Sequence, residues 1–191
     1  MKRFLAGALA VLTLAALTAC GGTDKETDSA PANSSAAQSA AADPTAYTID
    51  YTIPETFAET DSGAEGTLLY AADDGSTITI TIHELPADAD SPISEEEMRS
   101  EFEQGYAAYA EQLGVEVAMD GFTFEEMTVG PCPAYLVHYN VTLADVRVTQ
   151  DTMTVLADKQ YTIACSTTEP DAWADTFDAM LSAIEAVPLE A

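Results

Sequence analysis

The sequence predicts an α+β domain in which helices pack on an antiparallel sheet. Several segments alternate apolar and polar residues with the period of two that is typical of half-buried strands, and short turn sequences separate them. Two other segments repeat apolar residues every three or four positions, as amphipathic helices do. The order along the chain is strands, one helix, further strands and a last helix.

The first predicted strands lie between residues 47 and 82. Residues 47–51 alternate apolar and polar side chains, and residues 66–72 are largely apolar. In residues 77–82, isoleucine alternates strictly with threonine, which predicts a half-buried strand with one threonine face. The sequence Asp-Asp-Gly-Ser at 73–76 is a turn signal, so the strands on either side of it are predicted to form a hairpin.

A helix is predicted to follow from Ser94 to Gly114. Ser94 and Glu97 have the spacing of a capping box, in which each side chain binds the other residue's backbone N–H. Gly114 suits the end of a helix, where left-handed backbone is common. The apolar stripe of this helix consists of Met98, Phe102, Tyr106, Tyr109 and Leu113.

A second group of strands precedes the last helix. Residues 115–119 and 122–129 flank the Asp120–Gly121 pair, which predicts a hairpin turn between two strands. Three more strands are predicted at 134–141, 146–156 and 160–165, which completes an antiparallel meander.

The last predicted helix has Thr168 as its N-cap and Pro170 in its first turn. Pro188 is expected to end it. Its apolar stripe consists of Trp173, Phe177, Met180, Leu181 and Ile184.

A charged and apolar segment stands at the N-terminus. Lys2 and Arg3 precede the apolar run Phe4–Ala16, which is too short to span a bilayer comfortably. The next residues, Leu17–Cys20, resemble the lipobox of bacterial lipoproteins. The resemblance implies that cleavage leaves Cys20 as the mature N-terminus and that fatty acyl chains such as palmitate anchor it to the membrane. An ordinary secretory signal is the alternative.

The sequence thus divides into three parts. Residues 1–19 are the signal peptide, and residues 20–45 hold the lipidated cysteine and a flexible linker. The linker is rich in small polar residues and alanine, without aromatic or branched aliphatic residues, so it cannot bury enough apolar surface to fold. Residues 46–191 form one globular domain by size.

The charge is strongly negative, because six basic residues face 33 acidic ones. Loss of the signal peptide would leave only Lys25, Arg99, Arg147 and Lys159 as basic residues. Nucleic acid binding needs clustered Lys and Arg, so it is excluded as a function. The acidic residues indicate either binding of cations or a basic partner, or simply a solvated surface; their spread along the chain favours the second interpretation.

Cys132 and Cys165 are the cysteines that remain after Cys20. An even pair in an exported domain suggests a disulfide. The predicted meander instead places the two residues near opposite ends of strands that run the same way. The disulfide and two buried thiols therefore stay as alternatives.

No metal site is predicted. His83 and His138 lack the spacing of zinc ligands, and structural or solvent-exposed positions explain them. Asp88, Asp90 and Glu95–Glu97 carry oxygen ligands suited to calcium, but they do not follow the calcium-loop pattern. A loop and a helix N-terminus explain these acidic residues without a metal.

The sequence contains no known catalytic motif. The nucleophile elbow, the phosphate-binding loops and the Ser-x-x-Lys pattern are all absent. No cofactor is predicted. The tyrosines and Trp173 recur at core periodicities, which favours packing over a carbohydrate-stacking surface.

The element order resembles the PsbP-like fold, which is shared by the photosystem II protein PsbP, the Ran-binding Mog protein and bacterial lipoproteins of the DcrB type. The resemblance implies an αβα sandwich and a non-enzymatic binding or assembly protein without shared catalytic residues. It rests on Tyr47–Phe57, Ile78–Ile82, the acidic-capped helix, Gly130–Tyr135, Gln160–Ile163 and the C-terminal helix with Trp173 and Phe177.

These observations together predict a membrane-anchored, extracytoplasmic bacterial lipoprotein that is not an enzyme. It is expected to bind a protein partner in the cell envelope or to assist envelope assembly. Gly21 after Cys20 is not an inner-membrane retention signal, so the outer membrane is expected in a two-membrane cell. The alternative is a lipoprotein that binds a small ligand or a divalent cation. An envelope hydrolase with an unfamiliar site is a third class.

Overall fold

The computed structural model describes residues 43–86, 89 and 93–190. Seven strands form one antiparallel sheet in the order β2-β3-β4-β8-β7-β6-β5, and β1 pairs with β9 in a separate two-stranded sheet. The strands are β1 Tyr47–Asp50, β2 Ala58–Thr60, β3 Thr67–Ala71, β4 Thr77–Glu84, β5 Val117–Val129, β6 Cys132–Leu143, β7 Val146–Leu156, β8 Lys159–Thr167 and β9 Glu185–Pro188.

Two helices, α1 (Glu95–Leu113) and α2 (Pro170–Ser182), lie on opposite faces of the large sheet. In β6, Val137 and Tyr139 belong to the core beneath α1, whereas Cys132 and Ala134 belong to the core that contains α2. Odd- and even-numbered residues of a strand point to opposite faces. We therefore call the two sides of the sheet the α1 face and the α2 face. The predicted α+β fold, an antiparallel sheet between helices, is confirmed.

Local sequence signals account for α1. The Ser94 hydroxyl accepts a hydrogen bond from the Glu97 N–H at 3.2 Å, and the Ser94 N–H donates to the Glu97 carboxylate at 2.9 Å. The Ser94 hydrogen bonds lower the pKa of Glu97. Gly114 ends the helix with a φ of 66°. Both ends agree with the prediction from the sequence.

The predicted hairpin at Asp120–Gly121 is wrong. Residues 117–129 form the single strand β5, which pairs with β6 on both sides of a register shift between Asp120 and Thr123. Gly121 has a φ of +66°, and a left-handed glycine serves a β-bulge as well as a tight turn. The Asp-Gly pair therefore bends a strand here instead of reversing it.

Two strands and the start of α2 also differ from the prediction. The sequence did not predict β2 or β9. Glu169, not Thr168, is the N-cap residue of α2, and it makes no side-chain capping bond. The Thr167 hydroxyl instead accepts a hydrogen bond from the Glu169 N–H at 2.9 Å. The helix ends before Pro188, which lies in β9.

Strand β4 is buried on both faces, although its alternation predicted burial on one. Ile78 and Ile80 are fully buried on the α2 face. Thr77, Thr79 and Thr81, which alternate with the isoleucines, are buried as well. A period of two identifies the strand but does not determine whether its polar face meets solvent.

The N-terminal end of the domain is fixed by short-range contacts. Residues Pro44–Ala46, which include the end of the predicted linker, form a 3-10 turn. The Ala46 carbonyl accepts a hydrogen bond from the Leu189 N–H, and the Tyr47 carbonyl accepts one from the Asp158 N–H, both at 2.8 Å. The segment before β1 thus joins the domain beside β9 and the β7–β8 turn.

Gly130 begins the two-residue loop between β5 and β6. Its φ is +57°, and a Cβ at this position would lie 3.0 Å from the Ala186 Cβ in β9. Gly63 has a similar φ of +69° with no atom within 4 Å of that point. Alanine substitutions at the two glycines therefore distinguish the cost of left-handed backbone from the cost of the steric contact.

We predict that G130A lowers the free energy of unfolding more than G63A does. Left-handed backbone costs a non-glycine residue about 1–2 kcal/mol, and only G130A adds a steric overlap. Urea denaturation of both variants measures the difference. Equal losses in the two variants would show that β9 does not pack closely on this loop.

Candidate functional site

The residues singled out in the sequence lie in different places. Cys20, Asp88 and Asp90 fall outside the described residues. Glu95 and Glu97 are in the first turn of α1, where Glu95 pairs with Arg99 at 2.8 Å and Glu97 caps the helix. Across residues 43–86, 89 and 93–190, no group of three or more His, Cys, Asp or Glu residues could hold a metal ion.

The main polar cluster of the sheet lies on the α2 face of β5, β6 and β7. Strand register brings its members together, because His138 pairs with Asp151, and Asn140 pairs with Thr149 and Asp120. Directly paired residues of an antiparallel sheet share one face. We call this cluster the polar patch; it consists of Asp120, His138, Asn140, Arg147, Thr149 and Asp151.

His138 and Asp151 form the closest pair in the polar patch. The His138 Nδ1 and the Asp151 Oδ1 lie 2.6 Å apart, with 43% of the histidine side chain and 20% of the aspartate side chain exposed. A carboxylate at one ring nitrogen fixes the orientation of an imidazole. The pair therefore presents Nε2, the second ring nitrogen, in a defined orientation.

Arg147 and Asp120 form the second pair of the polar patch. The Arg147 guanidinium donates two hydrogen bonds to the Asp120 carboxylate at 2.7 and 2.8 Å. Hydrogen bonding from Arg147 lowers the pKa of Asp120. The Thr149 hydroxyl donates to the Asn140 side chain at 2.8 Å, and the Asn140 amide donates to Asp120 at 3.4 Å. These polar groups satisfy one another on an open surface.

The polar patch does not assemble a nucleophile with a general base. Thr149 donates its hydroxyl proton to Asn140, not to His138. Cys165 lies next to Asp151 across β7 and β8, but burial raises the pKa of its thiol far above the ordinary range. A buried neutral thiol is a poor nucleophile. The patch thus lacks the contact between a nucleophile and a general base that covalent catalysis uses.

The two cysteines of the domain are free, buried thiols. Cys165 is level with Asp151 and His138, and His138 lies six residues along β6 from Cys132. Six residues of strand span about 20 Å, whereas disulfide-linked Cα atoms lie within about 7 Å of each other. The structure therefore favours the alternative with two separate thiols. His83 is exposed near the end of β4.

A buried polar network on the α1 face was not predicted from the sequence. The Tyr106 and Tyr139 hydroxyls lie 3.0 Å apart, and the Tyr106 hydroxyl donates to the Gln150 Oε1 at 3.1 Å. Ser166 donates to the same oxygen at 3.2 Å, and the Gln150 amide donates to Thr152 at 3.1 Å. The network spans α1, β6, β7 and β8, so only the folded chain brings its members together.

Trp173 is partly buried and packs against the core that contains α2. Its ring stacks on Phe177 at a centroid distance of 5.9 Å and meets Phe57 edge-on at 4.9 Å. Its Nε1–H donates to the Asp74 carboxylate at 2.6 Å. These contacts agree with packing, which the sequence analysis favoured over sugar stacking.

Neither a protein-family model nor a curated protein matches this sequence. The solution structure of the cyanobacterial PsbP protein CyanoP from Synechocystis sp. PCC 6803 is similar to it. The TM-score is 0.57 at 15% sequence identity, and the match covers 83% of this chain and all of that one. At this identity the likeness defines the fold, so the chain has the PsbP-like fold expected from its element order.

Two further solved structures are similar at lower TM-scores. LpqN of Mycobacterium tuberculosis, described as involved in cell envelope biogenesis, has a TM-score of 0.40 at 16% identity, covering 77% of this chain and 87% of that one. PA94 of Pseudomonas aeruginosa, a protein of unknown function and putative regulator, has a TM-score of 0.40 at 8% identity, covering 76% and 85%.

The buried tyrosines predict a loss of stability at high pH. Burial raises the pKa of Tyr106 from 10.0 to about 12 and raises that of Tyr139 well above 10.0. The folded state thus keeps protons that the unfolded chain releases, so stability is full below about pH 10 and falls as the pH rises towards 12.

We predict that Tyr106→Phe reduces this loss. Between about pH 9 and pH 11, the wild-type chain should lose about 1 kcal/mol more of its unfolding free energy than the variant does. Urea denaturation at both pH values measures the effect. The same loss in both proteins would contradict a proton held at Tyr106 by burial.

Proposed function

We propose that this chain is a bacterial lipoprotein, anchored by lipid on the extracytoplasmic side of the membrane, whose domain binds a protein partner in the cell envelope without catalysing a reaction. The observation that carries the proposal is the N-terminal sequence. Lys2 and Arg3, the apolar run Phe4–Ala16 and the lipobox-like Leu17–Cys20 occur in the order that lipid attachment needs. The proposed function includes a role in the assembly of envelope components.

Several features of the chain agree with attachment through lipid. Among the residues that the structure describes, no helix is long and apolar enough to cross a membrane. Two acyl chains give stable attachment where one does not. A flexible linker of roughly 25 residues has a typical span of about 25–30 Å. Because the chain has a formal charge of −27, anionic headgroups would repel the domain and hold it away from the bilayer.

The polar patch supports binding over catalysis. Its carboxylates and its hydroxyl are engaged by neighbouring side chains, and its histidine is oriented without a nucleophile beside it. The buried side-chain nitrogen and oxygen atoms of the described residues all have hydrogen-bond partners. A stable polar surface of this kind supports partner recognition.

Cation binding is the weaker candidate. The excess of 33 acidic residues suggested it, but those near α1 are used in a cap and an ion pair. Oxygen ligands must converge on one point to hold calcium, and the described residues show no such group. We therefore give preference to a protein partner.

Replacement of Cys20 by serine tests the anchor. We expect the wild-type chain, expressed in a bacterial host with labelled palmitate, to carry the label and to sediment with membranes. Cys20→Ser should lose the label and most of the membrane association, because lipid attachment needs the thiol. Cys132→Ala is the matched control, since it removes another cysteine and should keep the label. A labelled Cys20→Ser chain, or an unlabelled wild-type chain, would contradict the proposal.

A further inference from the structure

We propose that the outer edge of β5, from Phe124 to Thr128, is the docking site for an extended cationic segment of the partner, which adds to the sheet as a further strand. The inference rests on the proposed partner-binding function and identifies the surface and the chemistry that the partner must offer. Strand addition is a common mode of peptide recognition, because main-chain hydrogen bonds supply affinity at an open sheet edge.

Strand β5 ends the seven-stranded sheet. Within the described residues it pairs with β6 on one side, and no strand pairs with its other side. The opposite edge of the sheet, β2, is only three residues long, whereas β5 has 13 residues. Short edge strands are a common protection against pairing with other chains. The long β5 edge therefore offers the better site for strand addition.

The register shows which backbone groups face outwards. Thr128 is paired with Pro133, and proline has no backbone N–H to donate. This position cannot be a hydrogen-bonded pair, so the N–H and C=O of Thr128 point away from β6. Because the pattern alternates along an antiparallel strand, the backbone groups of Phe124 and Glu126 also face the open edge. An added strand would meet these three donor and acceptor pairs.

The side chains along this edge determine the charge of the partner. Glu125 and Glu126 are exposed and neighbouring, so they lie on opposite faces of the sheet. Phe124 and Met127 beside them are half-buried. Opposite charges stabilise directly facing cross-strand pairs. A strand with lysine or arginine on both faces, and with apolar residues between them, fits this edge.

Charge repulsion disfavours a second copy of this chain at the same edge. Symmetric antiparallel pairing centred on residue 125 or 126 would place Glu125 opposite Glu125, or Glu126 opposite Glu126. Like charges directly opposite each other are destabilising, and each chain carries a formal charge of −27. The bulge at Asp120–Thr123 also interrupts the edge, as bulges do where self-pairing must be avoided. These registers and the net charge therefore disfavour a second copy and favour a cationic strand.

The polar patch lies beside the same edge. Thr123 of β5 pairs with His138, and Asp120 of β5 is itself part of the patch. Asp120 and Arg147 have 53% and 56% of their side chains exposed. A strand added to β5 would thus place its side chains on the α2 face next to these polar groups, which extends the contact beyond the backbone.

The binding test uses the purified full chain at physiological ionic strength and a fluorescein-labelled peptide of three Val-Lys-Lys-Val repeats, which has lysine and valine on both faces of an extended strand. Fluorescence anisotropy measures the dissociation constant. We expect binding by this peptide but not by the same peptide with N-methylated valines, which keeps its charge and loses half of the N–H donors on each of its two edges. Equal binding of the two peptides would show that charge alone drives association and would overturn the proposal.

Variants of the chain separate the backbone from the charge. Thr128→Pro removes one outward N–H without touching a β5–β6 hydrogen bond, and we expect it to weaken binding about tenfold. Glu126→Gln should weaken binding about threefold, and Glu59→Gln, which removes an exposed acid from β2, is its matched control and should have no effect. Unchanged binding by both β5 variants would overturn the proposal. If Thr128→Pro fails to fold, the methylated peptide still decides the backbone question.

Failure of this inference is distinguishable from failure of the proposed function. Peptide binding tests the β5 edge in the absence of any membrane, whereas palmitate labelling tests Cys20 in the absence of any partner. A labelled, membrane-bound chain that does not bind the Val-Lys-Lys-Val peptide would overturn the docking site and leave the lipoprotein assignment supported.

Discussion

The antiparallel pairing of β6 with β7 and of β7 with β8 is the constraint on which the rest of the structure depends. In β7, Val148 packs in the core beneath α1, whereas Met153 and Val155 pack in the core that contains α2. One strand thus supplies two cores on opposite faces of the sheet. A register slip of one residue would turn both sets of side chains to the wrong face, so the two cores fix the register together.

This arrangement also determines which surfaces remain open. On the α2 face the buried core includes Ala134 of β6 and Met153 of β7, and the polar patch occupies the same face farther along these strands. The helix α1 packs against β5 from the other face. Among the residues that the structure describes, neither helix pairs with the backbone of β5, and no strand pairs with its outer edge beside the patch. The open surface follows from where each helix packs on the sheet.

Much of this fold can be predicted from the sequence. Period-two alternation identified β4 and β6, and a capping box identified the start of α1. The bulge was missed, because Asp-Gly suits a bulge and a turn equally well. The polar patch was missed for a different reason. His138 and Asp151 meet because Ala144 and Asp145 form the β6–β7 turn with φ values of 47° and 69°. Alanine is an uncommon residue in left-handed backbone, so the turn that sets this register has a weak sequence signal.

Native-state amide hydrogen exchange along β5 tests the central claim. The claim is that β5 is an open sheet edge whose backbone N–H groups point alternately towards β6 and away from it. Residue-resolved exchange of the free chain separates two sets of amides. The account predicts that the outward-facing Phe124, Glu126 and Thr128 exchange at least about a hundredfold faster than Thr123, Glu125 and Met127, whose N–H groups bond to β6. Equal protection of both sets, or the reverse order, would contradict the account.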